Sequence, residues 1–286
     1  MNFFARLHPF VLLMYFVAVL SVSMFMQHPI YLTLSFLGGV GFLVFLKGIK
    51  YVIKSLATFV LLGLIITLTN PLFSHNGATP LFFINGNAFT LEALVYGGVF
   101  ALLIICVIFW FSAFNQIFDS EKILFLFGRI SPKISLIFSM ALNFIPNFTR
   151  YFKEILAVQK VNEKSKIKLY ISCFSAVITH SLEEAIETAD SMTARGYGIG
   201  KATCFSRFSF KRCDVVCLIL ITLLTAITYF AIITEHTTFM FYPIIACKPL
   251  NLSSVASYVA FGVLCFTPTL FQIKEDLKWK YSISKI

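Results

Sequence analysis

The sequence predicts an all-α polytopic membrane protein of about six transmembrane helices, with a cytoplasmic domain of amphipathic helices between the fourth and the fifth. Three observations predict it. The chain is 58% hydrophobic and only 13% charged, whereas soluble domains carry about 25% charged residues. Six long stretches contain no Asp, Glu, Lys or Arg. The basic residues that remain are distributed on one side of those stretches almost without exception. With 34 Phe among its 286 residues, the chain has more apolar surface than a water-soluble particle of this size can hide.

The uncharged stretches are Pro9–Met26, Ile30–Leu46, Ser55–Thr69, Ala93–Phe114, Val215–Thr234 and Leu252–Ile273. A spanning helix needs about 20 apolar residues, with a range of about 17–25. The third is short, but Lys54 can snorkel and allow Tyr51–Ile53 to extend it. The sixth carries Pro268, which predicts a kink accommodated by neighbouring helices. The first is too long for the apolar region of a cleaved signal peptide, and no small-x-small site follows it.

Orientation follows from the positive-inside rule. With the N-terminus in the cytoplasm, Arg6, Lys47, Lys50 and Lys54, fourteen basic residues between Asn115 and Asp214, and Lys274, Lys278, Lys280 and Lys285 all lie inside. Of the 23 Lys and Arg, only Lys248 then lies outside. Both termini are therefore expected in the cytoplasm of a multi-pass cell (inner) membrane protein, with the bilayer as solvent. The formal charge of +10 reports this topology; no nucleic-acid-binding motif accompanies it, so no nucleic-acid partner is expected. The seven cysteines give no disulfide framework, and most fall in apolar or cytoplasmic segments where thiols stay reduced.

Three parts follow: 1–114, with four helices and an outer loop at 70–92; 115–213, cytoplasmic or interfacial; and 214–286, with two helices and a tail. The outer loop has turn signals at Asn76-Gly77 and Asn85-Gly86, and the apolar run Ala78–Ile84 between them reads as a short strand or interfacial flap folded back on the bundle. In the middle part, Ser131-Pro132 is a helix start with proline at its first position, and Pro146 is expected to kink that helix. A second helix reads from Ser165 to Ala194. Its apolar positions Ile171, Phe174, Val177, Ile178, Leu182, Ala185, Ile186, Ala189 and Met192 step by three or four and so form one face, predicted to rest on the membrane domain. Glu183, Glu184, Glu187 and Asp190 are placed on the rest of its surface. Gly196 stands where a left-handed C-terminal residue is needed. Arg195, in the last turn, either caps its own helix's carbonyls or offers a bidentate fork to a carboxylate on another protein.

The stretch Leu182–Gly198, LEEAIETADSMTARGYG, resembles the signature of the transmembrane T component of energy-coupling factor (ECF) transporters. RFSFKRCD at Arg207–Asp214, the loop and helix at Asn70–Gly98, and RLHP at Arg6–Pro9 are similar to the family as well, so the resemblance covers nearly the whole chain. It implies that the middle part holds coupling helices. Ala194, Arg195 and Gly196 would dock a cytosolic ABC-type ATPase, with the arginine pairing to its acidic residues. Phe174, Ile178 and Leu182 would pass motion to a small membrane-embedded substrate-binding (S) component. The complex would contain two ATPase subunits, which hold the ATP and Mg; this chain itself would bind no cofactor or metal and would not be an enzyme. The cargo would be a vitamin or a metal ion.

The family's pattern is not complete here. It carries two Ala-Arg-Gly motifs, and at the position of the first this sequence reads Gln159-Lys160-Val161-Asn162-Glu163, with Asn162 in place of arginine. Lys160 or Lys164 could supply a charge, although lysine is a point charge rather than a fork. An arginine that often precedes the Phe of Asn143-Phe144-Ile145-Pro146 is also missing. The run Gly196-Tyr-Gly-Ile-Gly-Lys201-Ala202 departs from a phosphate loop at its first glycine and at its Ser/Thr position.

Two other function classes compete. A self-sufficient secondary transporter usually shows matching halves and ionisable residues at mid-membrane, which these six stretches lack. A membrane metallo-hydrolase would draw on His180 and Glu184, one turn apart, but the second histidine of such a helix motif is absent.

Overall fold

The computed structural model describes residues 4–84, 87–160, 166–200, 208–234, 239–247 and 251–283. Among them are nine α-helices and two short strand pairs, so the all-α membrane architecture read from the sequence is what the chain forms. Contacts divide it into one unit of Met1–Asp119 with Phe208–Ile286, and a second of Ser120–Arg207.

The first unit is a bundle of α1 (Pro9–Phe25), α2 (Pro29–Lys47), α3 (Ile49–Phe73), α4 (Leu91–Ile117), α8 (Arg212–Ile233) and α9 (Leu252–Ile283). All but α1 are long and apolar enough to cross a membrane, and α1 is an apolar helix of 17 residues, at the lower end of the spanning range. Helix α3 does extend through Tyr51–Ile53, back to Ile49. Helix α9 continues past the last uncharged residue and through Pro268 to Ile283. Within the bundle α2 lies between α4 and α9, α3 packs on α4, and α1 packs on α4 and α8.

Helices α1 and α2 begin in the same way. His8 precedes Pro9 and His28 precedes Pro29, and each imidazole Nδ1 accepts the amide two residues on, from Phe10 at 3.3 Å and from Ile30 at 3.2 Å. Proline at the first position gives up an amide that would have no helical partner anyway. With Nδ1 accepting, neutral His28 carries its proton on Nε2, which is 3.2 Å from Tyr258 Oη. Burial pushes the His28 pKa down, which favours this neutral capping form.

The core is aromatic. Trp110, Tyr15, Tyr31, Phe16, Phe42, Phe109 and Phe261 are fully buried, and their polar atoms are paired inside. Trp110 Nε1 donates to Ser35 Oγ at 2.9 Å, Ser35 meets Ser23 at 2.7 Å, and Tyr31 Oη meets Ser257 Oγ at 2.8 Å. In hydrocarbon such groups find no water to replace a missing partner.

One of these bonds explains how α9 tolerates Pro268. Proline has no amide to give to the carbonyl four residues back, which is that of Leu264. Tyr15 Oη from α1 donates to that carbonyl at 3.2 Å. Tyr15→Phe is therefore expected to cost about 1–3 kcal/mol, the penalty for a buried acceptor left unpaired. In a Pro268→Ala background residue 268 supplies an amide to Leu264, and the same change should cost less than half as much. A double-mutant cycle of melting in detergent reads this coupling; strictly additive effects would contradict it.

Asp214 ties the ends of two helices together. Its Oδ2 accepts the Lys211 amide at 2.8 Å, closing a capping box on α8, and its Oδ1 accepts the His8 amide at 3.0 Å. One buried carboxylate thus satisfies free amides at the starts of α8 and α1.

The loop between α3 and α4 folds as the sequence reading expects. Strands β1 (Pro80–Ile84) and β2 (Asn87–Thr90) pair antiparallel, with Phe82 opposite Phe89 and a bulge between Pro80 and Phe82. The loop between α8 and α9 forms a second pair, β3 (Phe239–Met240) with β4 (Ala246–Cys247), which hydrophobic patterning over two-residue strands does not reveal.

Candidate partner-docking site

The second unit is built from α5 (Ser120–Ile130), α6 (Pro132–Gln159) and α7 (Lys166–Ala194). Helix α6 starts at Ser131-Pro132 as predicted and runs on through Pro146 as one helix. Helix α5 packs along its first half, where Phe127 and Phe138 stack at 6.3 Å and Ser135 Oγ donates to the Leu124 carbonyl at 3.1 Å. Helix α7 packs along its second half. Cys173 Sγ lies 3.1 Å from Gln159 Oε1, and the His180 ring lies 4.1 Å from that of Tyr151.

These contacts set the face of α7 that meets α6. The side turned to α6 runs through Leu169, Cys173, Val177, His180 and Glu184, of which Leu169 and Cys173 are buried. Much of the apolar stripe predicted to be covered is exposed: Ile171, Phe174, Ile178, Leu182 and Ile186. Glu184, predicted among the solvated acids, instead lines a cleft of about 120 Å³ with Asn147, Phe148, Arg150, Tyr151, Glu154 and His180. Glu183, Glu187 and Asp190 are exposed. The cleft's ion pair, Arg150 Nε to Glu154 Oε1 at 3.9 Å, is mostly exposed and so contributes little stability. Among the described residues no group of three His, Cys, Asp or Glu is placed to hold a metal ion. His180 has Tyr151 and the cleft as its neighbours.

The end of α7 carries the other predicted residues. Gly196 has φ +82°, the left-handed conformation its position requires. The Gly196 amide donates to the Thr193 carbonyl at 3.0 Å and the Tyr197 amide to the Met192 carbonyl at 3.0 Å. This pair of bonds is the Schellman closure, and a glycine at this place avoids the Cβ penalty. Ala194 is the last helical residue, and Ala194 and Arg195 are exposed. Because backbone amides satisfy the Thr193 and Met192 carbonyls, the Arg195 guanidinium is not needed for that purpose. Among the described residues no ion pair or side-chain hydrogen bond holds it. Glu187 and Asp190 lie towards the negative end of the helix dipole, an unfavourable place for carboxylates. The local rule is broken where the surface displays charge.

Lys160 is the exposed C-cap of α6, its amide bonded to the Leu156 and Val158 carbonyls. Asn162 and Lys164, the other two residues of the incomplete first motif, lie outside the described residues, as do Lys201 and Ala202. Gly198, with φ +93°, continues the turn begun at Gly196.

A planar cation stands at the tip of a long helix whose cap holds its backbone in place, and an exposed apolar stripe of Phe174, Ile178 and Leu182 runs along the same helix. In comparisons with known proteins, no family model matches the chain and no curated protein matches it.

Proposed function

We propose that the chain is the transmembrane scaffold of an ECF-type ABC importer, coupling ATP hydrolysis by cytosolic ATPases to uptake of a vitamin or metal ion bound by a separate membrane subunit. Both termini and the second unit then lie on the cytoplasmic side of a cell membrane, a reading that the Lys and Arg distribution supports. Two ABC-type ATPases hold the nucleotide and Mg²⁺, and this chain performs no catalysis. Arg195 pairs with a carboxylate of one ATPase. Closure of the ATPases displaces α7, and the Phe174, Ile178 and Leu182 stripe carries the displacement to the substrate-binding subunit.

The observation that carries this reading is the exposed Arg195 on a helix end where backbone amides already take the Ser191, Met192 and Thr193 carbonyls. A guanidinium so placed is accessible to a bidentate carboxylate partner. The exposed apolar stripe supports it too, because a row of large apolar side chains on a charged helix calls for a covering surface. Arg195→Glu in the tagged, full-length chain is expected to reach the membrane and lose its co-purifying ATP-binding proteins. Retention of those proteins in full would remove Arg195 as the docking residue, and their absence from the wild-type preparation would overturn the reading.

A further inference from the structure

The β1–β2 hairpin is an unusual object for a loop. From Pro71 to Leu91 there is no Asp, Glu, Lys or Arg. Leu81, Phe82 and Phe83 are all exposed, Phe83 to 69%. Successive strand residues point to opposite faces, so β1 shows large apolar side chains on both of its faces. Phe82 stacks on the buried Phe89 at 4.4 Å and covers the bundle side; Phe83, opposite Ala88, has nothing over it among the described residues. An exposed strand of this kind in water is an association hazard, and none of the usual charged guards is present.

The hairpin's base is fixed. The Leu91 amide donates to the Thr79 carbonyl at 3.1 Å, Thr90 Oγ1 to the Asn76 carbonyl at 3.0 Å, and the Thr79 amide to Glu92 Oε1 at 3.2 Å. The Ala78 amide donates to the Pro243 carbonyl at 3.1 Å, joining the hairpin to the loop between β3 and β4, where Ile244 is also exposed. Thr90 caps α4 through the Ala93 amide at 3.4 Å. The hairpin is thus held at the ends of α3 and α4, two helices long and apolar enough to cross a membrane.

Its exposed side chains continue the exposed apolar surface of α3, where Leu68, Leu72 and Phe73 precede the loop, Phe73 being 86% exposed. That surface has lipid as its solvent, since α3 is long and apolar enough to cross a membrane and little of it is buried. Apolar residues on both strand faces, no charge, a fixed base at the ends of α3 and α4 and continuity with a lipid-facing helix point to one occupant. We propose that the β1–β2 hairpin is an interfacial anchor, with Leu81 and Phe83 inserted among the headgroups and upper acyl chains of the leaflet at this end of the bundle. Its bonds to α4 and to the β3–β4 loop make it a brace that sets the depth of the α3 and α4 ends in the bilayer.

The experiment uses the full chain in phosphatidylcholine liposomes, comparing Phe83→Trp with the wild type, whose Trp110 and Trp279 give the background. His75→Trp, at an exposed polar position of the same loop, serves as the water-side control. Lipids brominated near the top of the acyl chain should quench the added Phe83→Trp signal at least about twofold more than lipids brominated near the chain end. Iodide should quench it less than it quenches His75→Trp. Leu81→Trp provides a second reading if Phe83→Trp does not assemble. Full iodide access with no quenching by brominated lipid would overturn the proposal. So would shielding that arises only when a second membrane protein is reconstituted alongside, which would make the hairpin a protein-docking surface instead.

Discussion

Arg195→Glu is expected to lower the recovery of ATP-binding partners with the chain by at least about tenfold, while leaving membrane insertion and melting of the bundle unchanged. Removing one member of a hydrogen-bonded charge pair at an interface costs about 2–5 kcal/mol, and each 1.4 kcal/mol is about a factor of ten in affinity. Reversal of charge adds repulsion from the carboxylates to which the arginine binds. Arg195→Lys keeps the charge and loses the fork, and should fall between the two. Folding should be indifferent to all of these changes, since Arg195 is exposed and the α7 terminus is closed by backbone bonds from Gly196 and Tyr197. Size-exclusion chromatography of the purified chain separates the two effects. If Arg195→Glu aggregates, Arg195 has a structural role; if it remains monodisperse and keeps its partners, docking lies elsewhere.

Gly38→Leu should prevent the bundle from closing. A Cβ at position 38 of α2 would lie 2.7 Å from Cys265 Cβ and 3.0 Å from the Cys265 carbonyl oxygen of α9, and backbone cannot swing aside as a flexible side chain can. Small residues at such crossings let membrane helices approach closely, where packing is the main source of association. Gly38→Ala is expected to cost about 1–3 kcal/mol by overpacking, and Gly38→Leu should leave no monodisperse species in mild detergent. Gly41 is the control on the same helix. Its Cβ would meet only Thr269 Cγ2 at 3.5 Å, an ordinary contact, so Gly41→Ala should be neutral or stabilising through helix propensity. A Gly38→Leu chain that melts like the wild type would show that α2 and α9 do not meet at this crossing.

What the sequence reveals of this molecule depends on how strongly the solvent dictates the pattern. The bilayer allows only long uncharged segments, and so the bounds of α1 and α2 can be read to within one residue and those of α4 and α8 to within three. Gly196 is legible because few residues adopt a left-handed cap without strain. The facing of α7 is not legible in the same way. Hydrophobic periodicity selects Ile171, Phe174, Ile178 and Leu182, yet the side that meets α6 mixes Leu169 and Val177 with Cys173, His180 and Glu184, whose small or polar side chains dilute its hydrophobic signal. The bond from Tyr15 to Leu264 and that from Asp214 to His8 join residues more than 200 positions apart, which no local pattern encodes. In retrospect, Pro268 marks the freed carbonyl, although not the residue that bonds it. The twin His-Pro starts of α1 and α2 are a local signal that patterning overlooks.

Whether this chain is a coupling scaffold is decided by purifying the tagged wild-type chain from its native membrane in mild detergent and identifying what accompanies it. A coupling scaffold should bring with it ATP-binding proteins at two copies per chain together with one small, very hydrophobic membrane protein, whose own ligand would identify the cargo. A chain that emerges alone from several detergents, and that transports solute when reconstituted by itself, would contradict it and indicate a self-sufficient transporter.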